Sequence, residues 1–212
     1  ETHVTTAWHL APVQTFDQVF QRELVVAGSG GQSSTYPLLM NSVLGTRFKV
    51  VVGYAGTTEG NLAMERREVD GIGGITWASV KATQTQAPRD KHLRILVQFG
   101  LAKHRELPDT PWVYDYVKND ADRAALNLVF GTQEFGRPYI VAESVPDATV
   151  AVLRAAFDAT MSSAEFRADA ARRMLDLDPT PGAAIQGLVE DIHKTPPAVI
   201  DRVRKIVDPA AR

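Results

Sequence analysis

Three short glycine-rich segments in the first half of the chain contain the residue types that bind small anions. They read GSGGQSS (residues 28–34), GYAGTTEG (53–60) and GIGGITW (71–77). Glycines let the main chain approach a ligand closely, and the unpaired N–H groups at a helix N-terminus carry about half a positive charge. These features favour an anion. A tight turn with serine caps is the alternative, and it explains the first segment about equally well when that segment is taken alone.

Other kinds of chemistry lack their usual sequence signatures. Gly28, Gly30 and Ser33 come close to the dinucleotide pattern G-x-G-x-x-G, but the third glycine is missing. Tyr54 also stands where an acidic partner for the ribose is expected. There is no Walker loop and no G-x-S-x-G nucleophile motif. The five histidines are scattered and cysteine is absent, so we predict no metal site, no cofactor and no catalytic residue.

The amino-acid composition limits which classes of binding partner are expected. The 212 residues are 44% hydrophobic and 23% charged, which is typical of a globular protein with one or two cores. The 23 basic and 25 acidic residues are mixed along the chain, so nucleic acid is not expected as a partner. No apolar run approaches the ~20 residues of a membrane span. Because the chain begins with Glu1 and not with methionine, we expect a processed N-terminus from which any signal peptide has been removed.

Four apolar runs predict the strands that position the glycine segments. They are ELVVAG (residues 23–28), RFKVVVGY (47–54), EVDGIGGI (68–75) and LRILVQF (93–99). Helical periodicity separates them, which predicts βαβ units and a mainly parallel sheet. Because ligands of such sheets bind beyond the carboxyl ends of the strands, the three loops are expected to line one site.

Cap residues predict where two of the intervening helices begin. The first has Ser33, Ser34 or Thr35 as its N-cap and Gly45 just past its end. The second is shorter, and Thr57 or Thr58 caps it.

The part of the chain after Pro108 is mostly helical. Helices are predicted in residues 145–161, 162–175, 180–195 and 195–207. In the first of these, a stripe at helical spacing predicts a face directed into a core, formed by Val150, Leu153, Phe157 and Met161. RPYIVA (137–142) is predicted to be a strand with an unpaired edge.

At these residues the chain resembles the substrate-binding proteins of tripartite tricarboxylate transporters, the Bug-type extracytoplasmic solute receptors. The most specific segments are GYAGTTE with the following EVDG, and GRPYIVAESVP before a long helix. Other matching segments follow in the family's order and extend the resemblance over nearly the whole chain; they are WHLAPVQTF, VVAGSGGQSS, ILVQFGLAKHRELPDTP and TPPAVIDRVRKI. Two positions depart from the family pattern. Arg67 replaces a common glycine, and GIGGITW is richer in glycine than expected.

The resemblance implies an α/β fold with two lobes of the type II periplasmic binding protein kind, each with a mainly parallel sheet flanked by helices. Family members carry a first stretch on the order of a hundred residues, about one small domain, ahead of the region matched here. The resemblance therefore implies a complete second lobe and a partial first lobe. It assigns residues 1–22 to a crossover, 23–126 to the ligand-binding lobe and 127–212 to the helical return into the first lobe. A partial lobe leads us to expect self-association through the C-terminal part.

The family also implies a function. Its members capture small mono-, di- or tricarboxylates in the periplasm and deliver them to membrane permease subunits, and they are not enzymes. Carried over by position, the ligand contacts are Gly28, Ser29, Gly30, Gly31, Gln32, Ser33 and Ser34 on the first loop, Ala55, Gly56 and Thr57 on the second, and Trp77 on the third. The alternative is an α/β enzyme or regulatory domain that binds a phosphorylated or nucleotide ligand through the same loops.

Overall fold

The computed structural model describes residues 1–84, 92–136, 138–173, 175 and 177–208. The chain forms two compact units. Unit 1 comprises Glu1–Gln133 and Thr195–Arg212, and unit 2 comprises Glu134–Lys194. These units do not coincide with the segments 1–22, 23–126 and 127–212, and the assignment of those segments to lobes stays a prediction.

Unit 1 is built on a five-stranded sheet in the order β3-β2-β4-β1-β5. The strands are β1 (His3–Trp8), β2 (Leu24–Gly28), β3 (Phe48–Val52), β4 (Gly71–Thr76) and β5 (Leu93–Phe99). β2 runs parallel to β3 and β4, whereas β1 is antiparallel to both of its neighbours, β4 and β5. The four predicted strands and the mainly parallel sheet are thus confirmed. β1 was not predicted, and it lies inside the sheet.

The sheet is covered on both faces, as expected for parallel strands. Along β2, Leu24 and Val26 belong to one hydrophobic cluster, while Val25 and Ala27 contact a second one. Since successive side chains of a strand point to opposite faces, this alternation places one cluster on each side of the sheet.

Five helices lie in the described residues of unit 1. They are α1 (Gln32–Leu44), α2 (Thr57–Glu65), α3 (Trp77–Gln84), α4 (Asp120–Gly131) and α8 (Pro197–Val207). Short 3-10 turns occur at Phe16–Phe20, Val113–Tyr116 and Thr132–Phe135. α8 contacts both α1 and α4. It adds the buried side chains of Val203 and Ile206 to the larger cluster, so the end of the chain helps to complete the unit that the beginning forms.

Two predicted N-caps are wrong. α1 has Gly31 as its N-cap and α2 has Gly56, and neither helix start has a side-chain cap hydrogen bond. The φ of 53° at Gly31 is accessible to glycine at no steric cost, which lets α1 begin ahead of its serines. The predicted end at Gly45 is confirmed, with a left-handed φ of 80°.

The described residues of unit 2 form the helices α5 (Asp147–Ser162), α6 (Ala164–Arg172) and α7 (Gly182–His193), which confirms the helices predicted there. The predicted core-facing stripe of α5 is wrong, because no residue of this helix is buried. The prediction of a strand in RPYIVA is also wrong where it can be judged. Residue 137 lies outside the described residues, and residues 138–142 are not in a strand. Pro138 lacks the N–H that a strand ladder requires.

None of the helices in the described part of the chain combines the length and hydropathy that crossing a bilayer requires.

Candidate functional site

A cavity of about 180 Å³ lies in unit 1 at the edge of the sheet where β2 and β4 end. Its floor is apolar and comes from the strands through Ala27, Ile72 and Ile75. Its walls come from the three glycine-rich segments and from the first turns of three helices, α1, α2 and α3. The three loops therefore lie together around one cavity, as expected.

The structure brings six of the predicted site residues to the cavity wall. They are Ser29, Gly30, Gln32, Ser33, Gly56 and Thr57. Five others lie beside the wall residues in sequence but do not line the cavity: Gly28, Gly31, Ser34, Ala55 and Trp77. Polar wall residues that the sequence did not identify are His3, Tyr54, Thr76 and Ser79. Their roles in ligand binding, like those of the predicted residues, are taken up below as a proposal.

Hydrogen bonds within the first loop fix its shape. The Ser33 hydroxyl accepts from the N–H of Ser29 at 2.9 Å and donates to the carbonyl oxygen of Gly30 at 2.8 Å. Gly30 has a φ of 86°, which costs other residues about 1–2 kcal/mol. Within the described part of the chain, the main-chain N–H groups of residues 30–33 have no hydrogen-bond acceptor. The Ser33 hydroxyl therefore bridges two residues of the loop, while the N–H groups of residues 30–33 stay unpaired.

Glycines in β4 allow α1 to reach this position. A Cβ at Gly73 would lie 2.1 Å from Cγ of Pro37, and a Cβ at Gly74 would lie 2.6 Å from the carbonyl oxygen of Gln32. Both distances are far below any real Cβ contact, so the start of α1 rests directly on the strand. This packing gives a physical reason for the unexpectedly high glycine content of GIGGITW.

On the second loop, a carboxylate of the chain itself takes one predicted ligand donor. Oε2 of Glu59 accepts from the main-chain N–H of Ala55 at 2.7 Å. Glu59 is in the first turn of α2, where a negative charge is favourable. A ligand could use the N–H of Ala55 only by displacing this side chain, whereas Gly56 and Thr57 remain on the cavity wall.

On the third loop, Thr76 and Ser79 line the cavity and Trp77 does not. The Thr76 hydroxyl accepts from the N–H of Ser79 at 3.1 Å, which caps the start of α3. The indole N–H of Trp77 instead donates to Oε2 of Glu106 at 2.6 Å. This hydrogen bond, together with that from Lys81, lowers the pKa of the Glu106 carboxyl group.

His3 reaches the cavity because β1 is antiparallel to its neighbours. The first residue of β1, and not its last, therefore lies at the carboxyl ends of β4 and β5, where His3 pairs with Thr76 and Phe99. The His3 ring contacts Tyr36 edge to face, with 5.4 Å between ring centroids. Burial lowers the pKa of His3, so the imidazole is neutral at neutral pH. The sequence could have revealed the β-branched strand VTT but not its direction.

Tyr36, which packs against the His3 ring, is itself held by a hydrogen bond. Its hydroxyl oxygen accepts a hydrogen bond from Nε2 of Gln133. Burial raises the pKa of Tyr36 to about 12, so the phenol stays protonated at neutral pH.

The cavity wall carries no permanent charge. Among its residues, all of which are described, there is no Asp, Glu, Lys or Arg, and only His3 and Tyr54 can titrate. Across the described ranges, no three His, Asp or Glu side chains are grouped so that they could hold a metal ion. The polar side chains of the wall residues are thus hydroxyls, one carboxamide and one neutral imidazole.

Neither a family model nor a curated protein matches this chain. Solved structures do. A TctC solute-binding protein from Polaromonas, solved without a ligand, aligns with 95% of this chain at a TM-score of 0.65 and 16% identity. An R. palustris protein solved with adipate aligns with 97% of this chain at a TM-score of 0.53 and 14% identity. The periplasmic binding protein BugD aligns with 97% of the chain at a TM-score of 0.49 and 14% identity.

The first two similarities establish the fold. The predicted fold class, α/β of the periplasmic binding protein kind with a mainly parallel sheet flanked by helices, is confirmed, and so at the level of fold is the resemblance to the tricarboxylate solute-binding proteins. The chain spans 66% of the length of the Polaromonas structure and 65% of that of the R. palustris structure.

Proposed function

We propose that the protein binds a small organic carboxylate in the cavity of unit 1, in an extracytoplasmic compartment, and delivers it to the membrane permease subunits of a tripartite tricarboxylate-type transporter. The observation that carries this proposal is the start of three helices, α1, α2 and α3, at one uncharged cavity. The start of α1 contributes the unpaired N–H groups of residues 30–33, and each of the three helix starts carries about half a positive charge.

These features suit a carboxylate better than they suit a neutral solute or a cation. Unpaired N–H groups replace the water that a carboxylate loses on binding, and a wall without Asp or Glu does not repel it. Ser29, Gly30, Gln32 and Ser33 supply donors from the first loop, and Gly56 and Thr57 supply them from the second. The cavity volume of about 180 Å³ is below the ~300–1,000 Å³ of pockets for drug-sized ligands, so a small metabolite fits it best.

The solved structures with this fold support the same proposal. The Polaromonas protein is a solute-binding protein, which favours binding over catalysis, and the R. palustris protein was solved with the dicarboxylate adipate. Adipate is therefore the first probe to try. The resemblance of the sequence motifs to those of extracytoplasmic solute receptors supports the extracytoplasmic location.

A thermal-shift screen tests the ligand class. Adipate, succinate and citrate are compared with glucose, alanine and AMP, because a ligand that binds only the folded state raises the melting temperature by mass action. We expect the di- and tricarboxylates to stabilise the protein and glucose to have no effect. Stabilisation by AMP alone would favour the enzyme or regulatory domain that binds a nucleotide.

A substitution at Gly30 tests the location. Gly30→Asp places a negative charge beside the unpaired N–H groups, and Gly30→Asn is a matched control of nearly the same size that also tolerates a positive φ. Because the added carboxylate repels a carboxylate ligand, we expect calorimetry to give an affinity for adipate at least about tenfold weaker in the Asp variant than in the Asn variant. Tenfold corresponds to ~1.4 kcal/mol of binding free energy. Equal affinities in two folded variants would place the ligand elsewhere.

A further inference from the structure

We propose that His3 is a ligand-binding residue whose imidazole takes up a proton when a carboxylate enters the cavity, so that solute capture is coupled to proton uptake. This inference rests on the proposed function, because it requires an anionic ligand at the same site. It adds a residue and a regulation that neither the glycine loops nor the resemblance assigns.

The position of the ring is fixed by the sheet. His3 is paired on both sides, with Thr76 of β4 and with Phe99 of β5, and Thr76 itself lines the cavity. His3 also lines the cavity, although the residue is only 7% exposed. Because Tyr36 packs against the ring edge to face, the imidazole has little freedom to turn away.

The hydrogen bond at Nδ1 determines what the other ring nitrogen offers. Nδ1 lies 3.3 Å from the carbonyl oxygen of Glu1, which can only accept, so Nδ1 carries the hydrogen. In the neutral ring Nε2 then presents a lone pair, and among the described residues the His3 ring makes its hydrogen bond through Nδ1. A lone pair repels a carboxylate oxygen, whereas protonation turns Nε2 into a charged donor. Contact with a carboxylate therefore favours the protonated ring.

Few charges surround the ring while the cavity is empty. The titratable groups near it are the carboxylate and terminal ammonium of Glu1 on its own segment, Tyr36 on α1 and Tyr54 on the cavity wall. The neighbouring residues Thr76 and Phe99 on the paired strands cannot ionise. Burial is the largest influence and lowers the pKa of His3. A ligand carboxylate would supply a close negative charge that opposes the effect of burial.

The sign of the pH dependence follows from the difference in His3 protonation between the empty and the occupied site. The empty site leaves His3 neutral and the occupied site leaves it protonated, so binding takes up protons over the interval between the two pKa values. By linkage, affinity is highest on the acidic side and falls as the pH rises through the pKa of the occupied form. For a single proton the fall is at most about tenfold per pH unit.

Calorimetry of adipate binding tests the coupling. Titrations run from about pH 6.5 to 8.5, where both carboxyl groups of adipate are ionised, in phosphate and in Tris, whose ionisation enthalpies differ. We expect wild-type protein to take up a fraction of a proton, approaching one, and its affinity to fall with pH. His3→Gln is expected to exchange no proton and to show a flat pH profile. His193→Gln, on the surface of α7, is the control and should behave as wild type.

The possible results separate this inference from the proposed function. Binding of adipate without proton uptake, or with the same uptake in folded His3→Gln, overturns the role of His3 and leaves carboxylate binding intact. If adipate, succinate and citrate all fail to bind wild-type protein, the proposed function is overturned, and the role of His3 with it. Should His3→Gln fail to fold, NMR titration of the His3 ring in wild-type protein decides, because adipate must raise its pKa and an unchanged pKa overturns the inference.

Discussion

Unit 1 and unit 2 differ sharply in how they bury apolar side chains. Unit 1 has two hydrophobic clusters, one on each face of its sheet, and the aromatic rings of Phe99 and Phe130 are fully enclosed. Among the described residues of unit 2, Ala170 alone is buried. Six large hydrophobic residues are exposed there, namely Tyr139, Ile140, Val141, Val152, Leu153 and Leu175.

The difference shows what helical periodicity does and does not determine. A helix-period pattern predicts which side chains share a face, and α5 carries such a pattern in Leu153 and Phe157. Whether that face is buried depends on a second layer that must cover it. In unit 1 the sheet provides this layer for α1, α2 and α3, whereas within unit 2 no sheet does so among the described residues.

The largest expected effect comes from removing a ring of the unit 1 core. Phe130 is 0% exposed and packs against Tyr36, Phe99 and Tyr114. Phe130→Ala should lower the free energy of unfolding by about 3–5 kcal/mol through lost burial and a cavity. Leu153→Ala, at a residue 48% exposed in unit 2, should cost less than about 1 kcal/mol. Chemical denaturation measures both, and equal losses would mean that the α5 face is covered in solution.

A smaller effect is expected from ion pairs. Nη2 of Arg202 on α8 lies 2.6 Å from Oδ1 of Asp122 on α4, and Asp122 is buried. In unit 2, Nε of Arg173 lies 2.8 Å from Oδ2 of Asp169, with both side chains exposed. Arg202→Met should cost about 1–2 kcal/mol, because it leaves a buried carboxylate without its charged donor.

Arg173→Met is the matched control for that pair. It should cost no more than about 0.5 kcal/mol, since an exposed pair is well solvated when broken. The measurement is again the free energy of unfolding. A cost for Arg202→Met as small as that of the control would show that α8 is not held on α4 by this pair.

The last expected effect concerns association. The exposed apolar residues of unit 2 support the prediction that the protein self-associates through its C-terminal part. Ile140 is 86% exposed, and Ile140→Ser should weaken association by about tenfold, because burying one isoleucine contributes ~1.5 kcal/mol or more. Val52→Ser, at an exposed position of unit 1, should leave association unchanged.

Sedimentation over a wide concentration range provides the readout for both variants. A wild-type protein that stays monomeric throughout would contradict the prediction of self-association. It would also show that the exposed side chains of unit 2 do not act as a contact surface between copies of this chain.

Much of unit 1 could be predicted, because its signals are local. β5 occupies the predicted residues Leu93–Phe99, and β2 ends at Gly28 as predicted. These strands are continuous apolar runs next to glycines, and such patterns depend on few neighbours. The starts of α1 and α2 were harder to predict, because the backbone of Gly31 and Gly56 decides them and no side-chain cap does.

The candidate site could be predicted only in part, for the same reason. The loop residues Gly30 and Ser33 reach the cavity because the glycine segments follow parallel strands. The hydrogen bonds from Ala55 to Glu59 and from Trp77 to Glu106 could not be predicted. Each glutamate side chain is flexible and has many possible hydrogen-bond partners within its reach.

The sequence by itself determined β2 to β5, the helices α1, α2 and α5 to α8, and the glycine segments that follow the strands, because these properties depend on residues close together in the chain. Only the tertiary structure decided that β1 enters the sheet antiparallel, between β4 and β5. That choice pairs His3 with Thr76 and Phe99, which follow it by more than seventy and ninety positions. Pairing over such separations is set by the packing of the whole sheet, and it alone brings an imidazole to the cavity wall.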